Sequence, residues 1–346
     1  MRPHLSIVIP THQRPQYLAR VLKYYAQTDL PVYVADSSLH VSSAAAGMPN
    51  VAYHHLPGVP FLEKVRSIMP LITTPFMAFC ADDDFIVPRA GKQCTEFLVA
   101  NPDYSSAQGH YVMAMPTGSA VELSTGYPGN FQVRVDSDDA RERLLQIFSP
   151  YVQNFYAVHR TDTWRAFYAL ETEKIPHYCV LELLGAMLAA VMGKHKVLPL
   201  FYSVRDRYLD EDRKNPLRRE NIDIVSSRAE YAGEYEVFMS SLTGGLRQRQ
   251  GLSEEDARAA VQASVDLFVS GTLRATPRRP FLKKLPKYVD RVLGAFSSQR
   301  CKATKRHEAD TQRRQEFERF FDAFDTEAHA ELEQIVQAIM AFQSKG

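Results

Sequence analysis

The chain has 346 residues, of which 45% are hydrophobic, and its formal net charge at pH 7 is +1. This hydrophobic fraction is enough for a large core, and one domain of about 200–250 residues with an appendage is the expected organisation. The near-zero net charge excludes a global field that attracts nucleic acid, so an anionic partner must be bound by a local patch.

Strands and helices alternate in the first third of the chain, as judged from the period of the hydrophobic residues. This alternation predicts an α/β fold, with a mostly parallel sheet flanked by helices. The predicted strands are Leu5 to Pro10, Pro31 to Asp36, Val51 to His55 and Phe76 to Ala81, and the predicted helices are Pro15 to Gln27, Phe61 to Ile72 and Pro88 to Ala100.

The rest of the chain divides into a mixed region and a helical region. Strand signals disappear after about residue 215, which predicts a sheet domain over residues 1–215 and a helical region over residues 216–346 packed on it. Tyr111 to Met115, Phe131 to Val135, Tyr151 to His159 and Lys196 to Val204 are predicted strands, and Val180 to Met192 and Ala309 to Phe342 are predicted helices.

An acidic run, Asp82-Asp83-Asp84, directly follows the predicted buried strand that ends in MAFCA. Because ligands of parallel sheets bind beyond the carboxyl ends of strands, this position indicates a site. Side chains alternate along a strand, so Asp82 and Asp84 are expected on one side, where two carboxylates suit Mg²⁺ or Mn²⁺. A solvated acidic turn is the alternative interpretation of the run taken alone.

Four segments in order resemble family 2 of the glycosyltransferases: SIVIPTHQRPQYLARVL, VYVADSS, KVRSIMPLITTPFMAFCADDDFIVP and VLELLGAMLAAVMGKHKVLPLFYSVR. The resemblance covers about residues 5–205. It implies the GT-A fold, which is Rossmann-like, with a helical C-terminal extension. It also implies transfer of a sugar from a nucleotide-sugar donor to a hydroxyl of a glycan, lipid-linked or protein acceptor.

The resemblance assigns roles to individual positions of this sequence. Asp82 and Asp84 would bind a divalent metal, Mg or Mn, and Glu182 would be the general base of an inverting reaction. The donor-binding residues that it implies are Thr11, Arg14, Asp36, Arg66, Asp82, Asp83 and Arg205.

Three positions depart from the family's pattern. Asp36 stands alone where two acidic residues are usual, Leu181 precedes Glu182 where the pair is usually Glu-Asp, and Ser67 replaces an Asn. These departures leave open a non-catalytic protein that binds nucleotide sugars or glycans. A nucleotidyltransferase is disfavoured, because the loop THQRP after the first strand lacks glycine.

The expected location is cytoplasmic. No stretch approaches about 18 uninterrupted apolar residues, so no transmembrane helix is predicted, and the four cysteines form no CxxC pair or zinc-like spacing. Basic and apolar residues interleave over 278–293, which fits either a helix packed on the protein or peripheral contact with the inner face of a membrane. Nucleic acid is not expected as a partner, and the oligomeric state stays open.

Overall fold

The computed structural model describes residues 4–117, 120–127, 134–148, 151–206, 221–275, 315 and 317–343. Strands of this part of the chain form one mixed sheet. They are β1 (Leu5–Thr11), β2 (Val32–Asp36), β3 (Val51–His55), β4 (Phe76–Phe79), β5 (Phe85–Ile86), β6 (Tyr104–Thr117), β7 (Ala120–Gly126), β8 (Val158–Arg160) and β9 (Lys194–Asp206).

The first four strands lie in the order β3-β2-β1-β4, and all their pairings are parallel. The sheet continues from β4 through β8, β6 and β9 to β5. There β4–β8, β8–β6 and β9–β5 are antiparallel, β6–β9 is parallel, and β7 forms an antiparallel hairpin with β6. The predicted α/β fold is confirmed, and the parallel pairing is concentrated in the first third of the chain.

Helices cover both faces of the sheet. Alternation along β1 separates two apolar cores, because Ile7 and Ile9 point to one face and Val8 to the other. The helices are α1 (Pro15–Tyr25), α2 (Phe61–Ile68), α3 (Pro88–Ala100), α4 (Ala140–Gln146), α5 (Thr161–Tyr168), α6 (Tyr178–Met192), α7 (Ile222–Ser227), α8 (Ala232–Gln250), α9 (Glu254–Ala275) and α10 (Thr326–Gln343). Of these, α1, α3 and α10 share the core of Ile7, while α2, α4, α5, α6, α7, α8 and α9 share that of Val8.

The C-terminal helices pack on the sheet domain. Helices α8 and α9 contact α6 and α4, and α10 contacts α1, β6, β7 and β9. At the end of α10, the ring of Phe342 lies 4.6 Å from that of Tyr17. The division into a sheet domain and a helical region at residue 215 stays a prediction.

Several of the predicted elements differ in the structure. Helix α2 ends at Ile68 and not at Ile72, because Pro70 cannot continue an α-helix and a 3₁₀ turn follows. Tyr151 to His159 is predicted as a strand, but the strand in the structure is Val158–Arg160, and Tyr151 forms only an isolated bridge to Phe148. The predicted final helix is interrupted before α10 begins at Thr326.

Two further predictions concern residues that are described in part or not at all. Of the predicted strand Phe131 to Val135, residues 131–133 lie outside the described ranges, and Val135 forms an isolated bridge to His195. The basic stretch 278–293 lies outside them entirely. No helix within the described residues is both long and apolar enough to cross a bilayer.

Candidate functional site

A cleft of about 1270 Å³ lies beyond the carboxyl ends of β1 and β4. These two strands are neighbours, yet the chain leaves β1 towards β2 and β3 and returns to β4 on the other side. Such a reversal of strand order opens a crevice in which α/β proteins bind ligands. The walls come from the loops after β1 and β4, the first turns of α1, α2 and α6, and the end of β9.

The acidic run forms a turn at the floor of this cleft. Strand β4 ends at Phe79, and the N–H of Asp84 donates to the carbonyl of Ala81 at 3.1 Å. The strand alternation expected for Asp82 and Asp84 does not extend to the run, because β4 has ended before Asp82. The two carboxylates line the same cleft but bind different partners.

Asp82 faces the loop after β1. Its Oδ2 accepts from the Thr11 hydroxyl at 2.6 Å, and its Oδ1 accepts from Arg14 Nη1 at 2.6 Å. The other terminal nitrogen of Arg14 donates to Asp83 Oδ2 at 2.7 Å. One guanidinium therefore bridges two carboxylates of the run.

Asp84 faces the end of β9. Its Oδ1 accepts from the backbone N–H of Asp206 at 3.0 Å, and its Oδ2 accepts from Arg205 Nε at 3.1 Å. Arg205 also donates to the Tyr127 hydroxyl at 2.7 Å, and its guanidinium lies 4.5 Å from the ring centroid of Tyr156. The predicted donor-binding residue Arg205 is thus in the cleft, fixed by three neighbours.

Burial makes the acidic run electrostatically costly. Removal from water raises the pKa of Asp82 to about 6, although Arg14 and the Thr11 hydroxyl oppose this change. Burial likewise raises the pKa of Asp84 to about 7, against the opposing charge of Arg205. Further positive charge near these carboxylates would stabilise their ionised forms.

The acidic run fits a hard divalent cation that arrives with phosphate ligands. The described residues contain no group of three or more Asp, Glu, His or Cys side chains arranged to hold a metal. Mg²⁺, however, is commonly held by one or two carboxylates plus substrate phosphates and water. Asp82 and Asp83 converge on one positive charge, that of Arg14, in this structure.

Glu182 lies on the wall formed by α6. Its carboxylate accepts a hydrogen bond from the side-chain amide of Gln153. Burial raises the pKa of Glu182, and the positive charge of Arg205 and the bond from Gln153 oppose the rise. The predicted base is therefore in the same cleft as the acidic run, in surroundings that increase its affinity for a proton.

Two of the predicted donor-binding side chains are not brought into the cleft. Asp36 is 1% exposed, and its carboxylate oxygens accept from the N–H of Ser38 at 2.8 Å and the hydroxyl of Tyr53 at 2.7 Å. Arg66 turns away and donates to the carbonyls of Tyr168 and Leu170. Arg66 therefore does not line the cleft, which corrects the prediction that it contacts the donor. Its guanidinium instead connects α2 to the end of α5 and the residues that follow.

Sequence reasoning missed Lys64, which lines the cleft two residues before Arg66. The signal was present in the helical period, since Lys64 lies on the buried stripe with Val65 and Ile68. Its ammonium donates to the carbonyl of Thr11 at 2.5 Å and to the hydroxyl of Ser37 at 3.0 Å.

Three helices begin at the cleft without a side-chain cap. The residues before α1, α2 and α6 are Arg14, Pro60 and His177, and none of them caps its helix with a side-chain hydrogen bond. The first backbone N–H groups of a helix lack intrahelical acceptors and carry partial positive charge. The cleft is therefore suited to an anionic ligand.

No protein-family model matches the chain, and no curated protein matches it. Among solved structures, the chain is similar to the crystal structure of S. aureus TarS 1-349, with 16% identity, a TM-score of 0.43, and coverage of 80% of this chain and 92% of that one. It is also similar to the crystal structure of S. aureus TarS 1-349 in complex with UDP-GlcNAc, with 14% identity, a TM-score of 0.45, and coverage of 79% and 92%. Because these identities are low, the function of the cleft has to rest on its own residues.

Proposed function

We propose that the protein is a glycosyltransferase that moves a sugar from a nucleoside-diphosphate sugar to a hydroxyl acceptor. The observation that carries the proposal is the placement of the acidic run and Glu182 in one cleft, beyond the carboxyl ends of β1 and β4. The reaction requires charged groups that bind the diphosphate and a separate carboxylate that accepts a proton. The floor of the cleft, with its acidic run and arginines, supplies the first, and Glu182 supplies the second. The family resemblance of the sequence motifs points to the same chemistry.

The floor of the cleft is suited to the diphosphate of the donor. The departing nucleoside diphosphate gains negative charge at the transition state, and fixed positive groups stabilise it. Arg14 and Arg205 reach the floor from two sides, and the uncapped starts of α1, α2 and α6 add partial positive charge. These groups would bind and orient the diphosphate.

A Mg²⁺ or Mn²⁺ ion would add positive charge at the leaving group when bound. Asp82 together with Asp83 would hold it, because these carboxylates share the Arg14 cation in this structure. Asp84 is the second metal ligand that the family resemblance implies, and in this structure its oxygens accept from Arg205 and from the N–H of Asp206, much as those of Asp82 accept from Arg14 and Thr11. Its role in the proposal is to hold Arg205 at the floor.

Glu182 would accept the proton of the attacking hydroxyl. Its raised pKa makes the ionised carboxylate a stronger base than an exposed glutamate. Gln153 fixes one oxygen by a hydrogen bond, which orients the carboxylate. Direct attack from the Glu182 wall would invert the configuration at the anomeric carbon.

The proposal is tested by a screen for release of nucleoside diphosphate from UDP-, GDP- and dTDP-sugars, with Mn²⁺ or Mg²⁺ supplied. UDP-GlcNAc is the natural first donor, since it is the ligand of one of the similar crystal structures. Release from one donor, abolished in Asp82→Asn, is the expected result. Donor binding without release, with every glycan, lipid-linked or protein acceptor supplied, would instead indicate a non-catalytic binding protein.

A further inference from the structure

Helix α2 carries two cations, and only one of them faces the cleft. Residues two apart on a helix point about 200° away from each other, so Lys64 and Arg66 cannot share a face. Arg66 is used by the protein itself, through Tyr168 and Leu170 carbonyls and an ion pair of 2.9 Å with Glu173. Of the two cations of α2, Lys64 is therefore the one that lines the cleft and can contact a ligand there.

The ammonium of Lys64 lies across the ends of two neighbouring parallel strands. It donates to the carbonyl of Thr11, the last residue of β1, and to the hydroxyl of Ser37, the residue after β2. An ammonium has three donor hydrogens, and these two bonds account for two of them. The side chain is 3% exposed, so the protein holds the charge in one place.

Arg14 and Arg205 form ion pairs with carboxylates of the cleft, whereas Lys64 does not. Arg14 is paired with Asp82 and Asp83, and Arg205 with Asp84. Within the described ranges, no carboxylate oxygen lies within 4.0 Å of the Lys64 ammonium. Burial accordingly lowers the pKa of Lys64 to about 8, although the more distant charges of Asp36 and Asp82 oppose this.

We propose that Lys64 is the fixed cation of the cleft and binds the diphosphate of the donor, an inference that rests on the proposed function. An anion is the ligand that relieves a buried ammonium without an ion-pair partner. The position between the ends of β1 and β2, beside the Thr11–Asp82 contact, places this charge next to the floor. The role that the motif spacing assigns to Arg66 thus belongs to Lys64.

A purely structural role is the alternative, in which Lys64 only ties β1 to β2. Lys64→Gln separates the two roles, because a glutamine amide keeps hydrogen-bond donors but removes the charge. Lys64→Met removes both, and Arg66→Met removes a cation two residues away that does not line the cleft. All four proteins are first compared by thermal unfolding, so that loss of fold is recognised.

The measurement is calorimetric binding of UDP, GDP and dTDP, followed by the nucleoside of the tightest binder, with Mg²⁺ present throughout. The expected result is a loss of at least about tenfold in nucleoside-diphosphate affinity in both Lys64→Gln and Lys64→Met. Nucleoside affinity is expected to be unchanged, because the nucleoside carries no phosphate. Arg66→Met is expected to bind both ligands as the wild type does.

Two results would overturn the inference while leaving the proposed function standing. One is wild-type affinity for the nucleoside diphosphate in folded Lys64→Gln, which would show that Lys64 has only the structural role of connecting β1 to β2. The other is an equal loss for nucleoside and nucleoside diphosphate, which would indicate damage to the pocket. A wild-type protein that binds none of the three nucleoside diphosphates contradicts the proposed function and the inference together.

Discussion

Arg14 and Asp82 form an ion pair of 2.6 Å at the point where the strand order of the sheet reverses. The same guanidinium lies 4.2 Å from the ring centroid of Tyr17 and reaches Asp83 at 2.7 Å. The backbone of the preceding residue, Gln13, is in the left-handed region with φ 53°, a conformation that non-glycine residues rarely adopt. The protein thus accepts local strain in the loop that directs Arg14 to the acidic run.

If Asp82 and Asp83 hold a divalent cation, as proposed, that cation competes with Arg14 for the same carboxylates. Arg14→Gln is therefore expected to increase the affinity for Mn²⁺ alone by about tenfold, or about 1.4 kcal/mol. Electron paramagnetic resonance of free Mn²⁺, titrated with protein in the absence of nucleotide, measures this affinity. Lys23→Gln, an exposed position on α1, is the control. Unchanged or weaker binding in Arg14→Gln would show that the acidic run does not take the ion.

Glu182→Gln is expected to lower kcat by about 10²–10⁴-fold, because an amide cannot accept the acceptor's proton. The affinity for nucleoside diphosphate is expected to stay unchanged, since the substitution is nearly isosteric and lies on the α6 wall. Turnover and calorimetric binding are measured on the same preparation. Full turnover in Glu182→Gln would remove Glu182 from the role of base.

The pH dependence of turnover tests the ionised carboxylates of the cleft, Glu182 together with Asp82 and Asp84. A base acts in its ionised form, and burial raises the pKa of Glu182. Wild-type kcat is therefore expected to increase with pH through an apparent pKa above the ordinary value of about 4.3 for glutamate. The profile is measured with saturating donor and acceptor. A flat profile from acid to neutral pH would contradict a proton transfer to Glu182.

The position of the acidic run after a predicted strand indicated a site at Asp82, and the family resemblance added Thr11 and Glu182. Thr11, Asp82 and Glu182 do line one cleft, because the carboxyl ends of β1 and β4 meet there and α6 begins beside them. The strand alternation assumed for Asp82 and Asp84 does not hold, because β4 stops at Phe79 and a turn follows, which nothing local in the sequence reveals.

The remaining misses depend on partners far away in the sequence. The carboxylate of Asp36 accepts a hydrogen bond from the hydroxyl of Tyr53 on β3. The guanidinium of Arg66 donates to the carbonyls of Tyr168 and Leu170, about a hundred residues later in the chain. Motif spacing favoured Arg66, whereas the helical stripe with Val65 and Ile68 favoured Lys64. Burial on an amphipathic helix indicates which face meets the protein interior, and Lys64, not Arg66, lines the cleft.

The burial of Lys64 predicts a pH-dependent stability. Its pKa is about 8 in the folded protein, and an unfolded lysine titrates near 10.4. Between these values the unfolded chain binds more protons, so the free energy of unfolding rises with pH, by up to about 3 kcal/mol. The variant Lys64→Met has no titrating group at this position, so its free energy of unfolding lacks this pH-dependent part.

Urea unfolding of the wild type and Lys64→Met measures the effect. From about pH 7 to about pH 10, the difference in unfolding free energy is expected to shift in favour of the wild type. Effects of pH on other groups cancel between the two proteins, apart from those that interact with Lys64, notably Asp36 and Asp82. A difference that does not change with pH would mean that Lys64 is not held in a desolvated position.

The C-terminal region supports the start of α6 through a buried pair. Glu234 on α8 accepts from His177 Nδ1 at 2.7 Å and from the His177 backbone N–H at 3.4 Å. This carboxylate lies at the beginning of a helix that lacks a side-chain cap of its own, where negative charge is favourable. Tyr178 and Glu182, which line the cleft, follow within the first turns.

Glu234→Ala is therefore expected to lower the free energy of unfolding by about 1–3 kcal/mol, because a buried donor loses its acceptor. It is also expected to reduce kcat more than nucleoside-diphosphate affinity, since it displaces the α6 wall and leaves the floor intact. Glu236→Ala is the matched control on the same helix, because its pair with Arg258 is exposed and such pairs contribute about 0–1 kcal/mol. Urea unfolding and donor turnover are measured for both variants. If Glu234→Ala and Glu236→Ala change the free energy of unfolding and the turnover equally, the His177–Glu234 pair does not position α6.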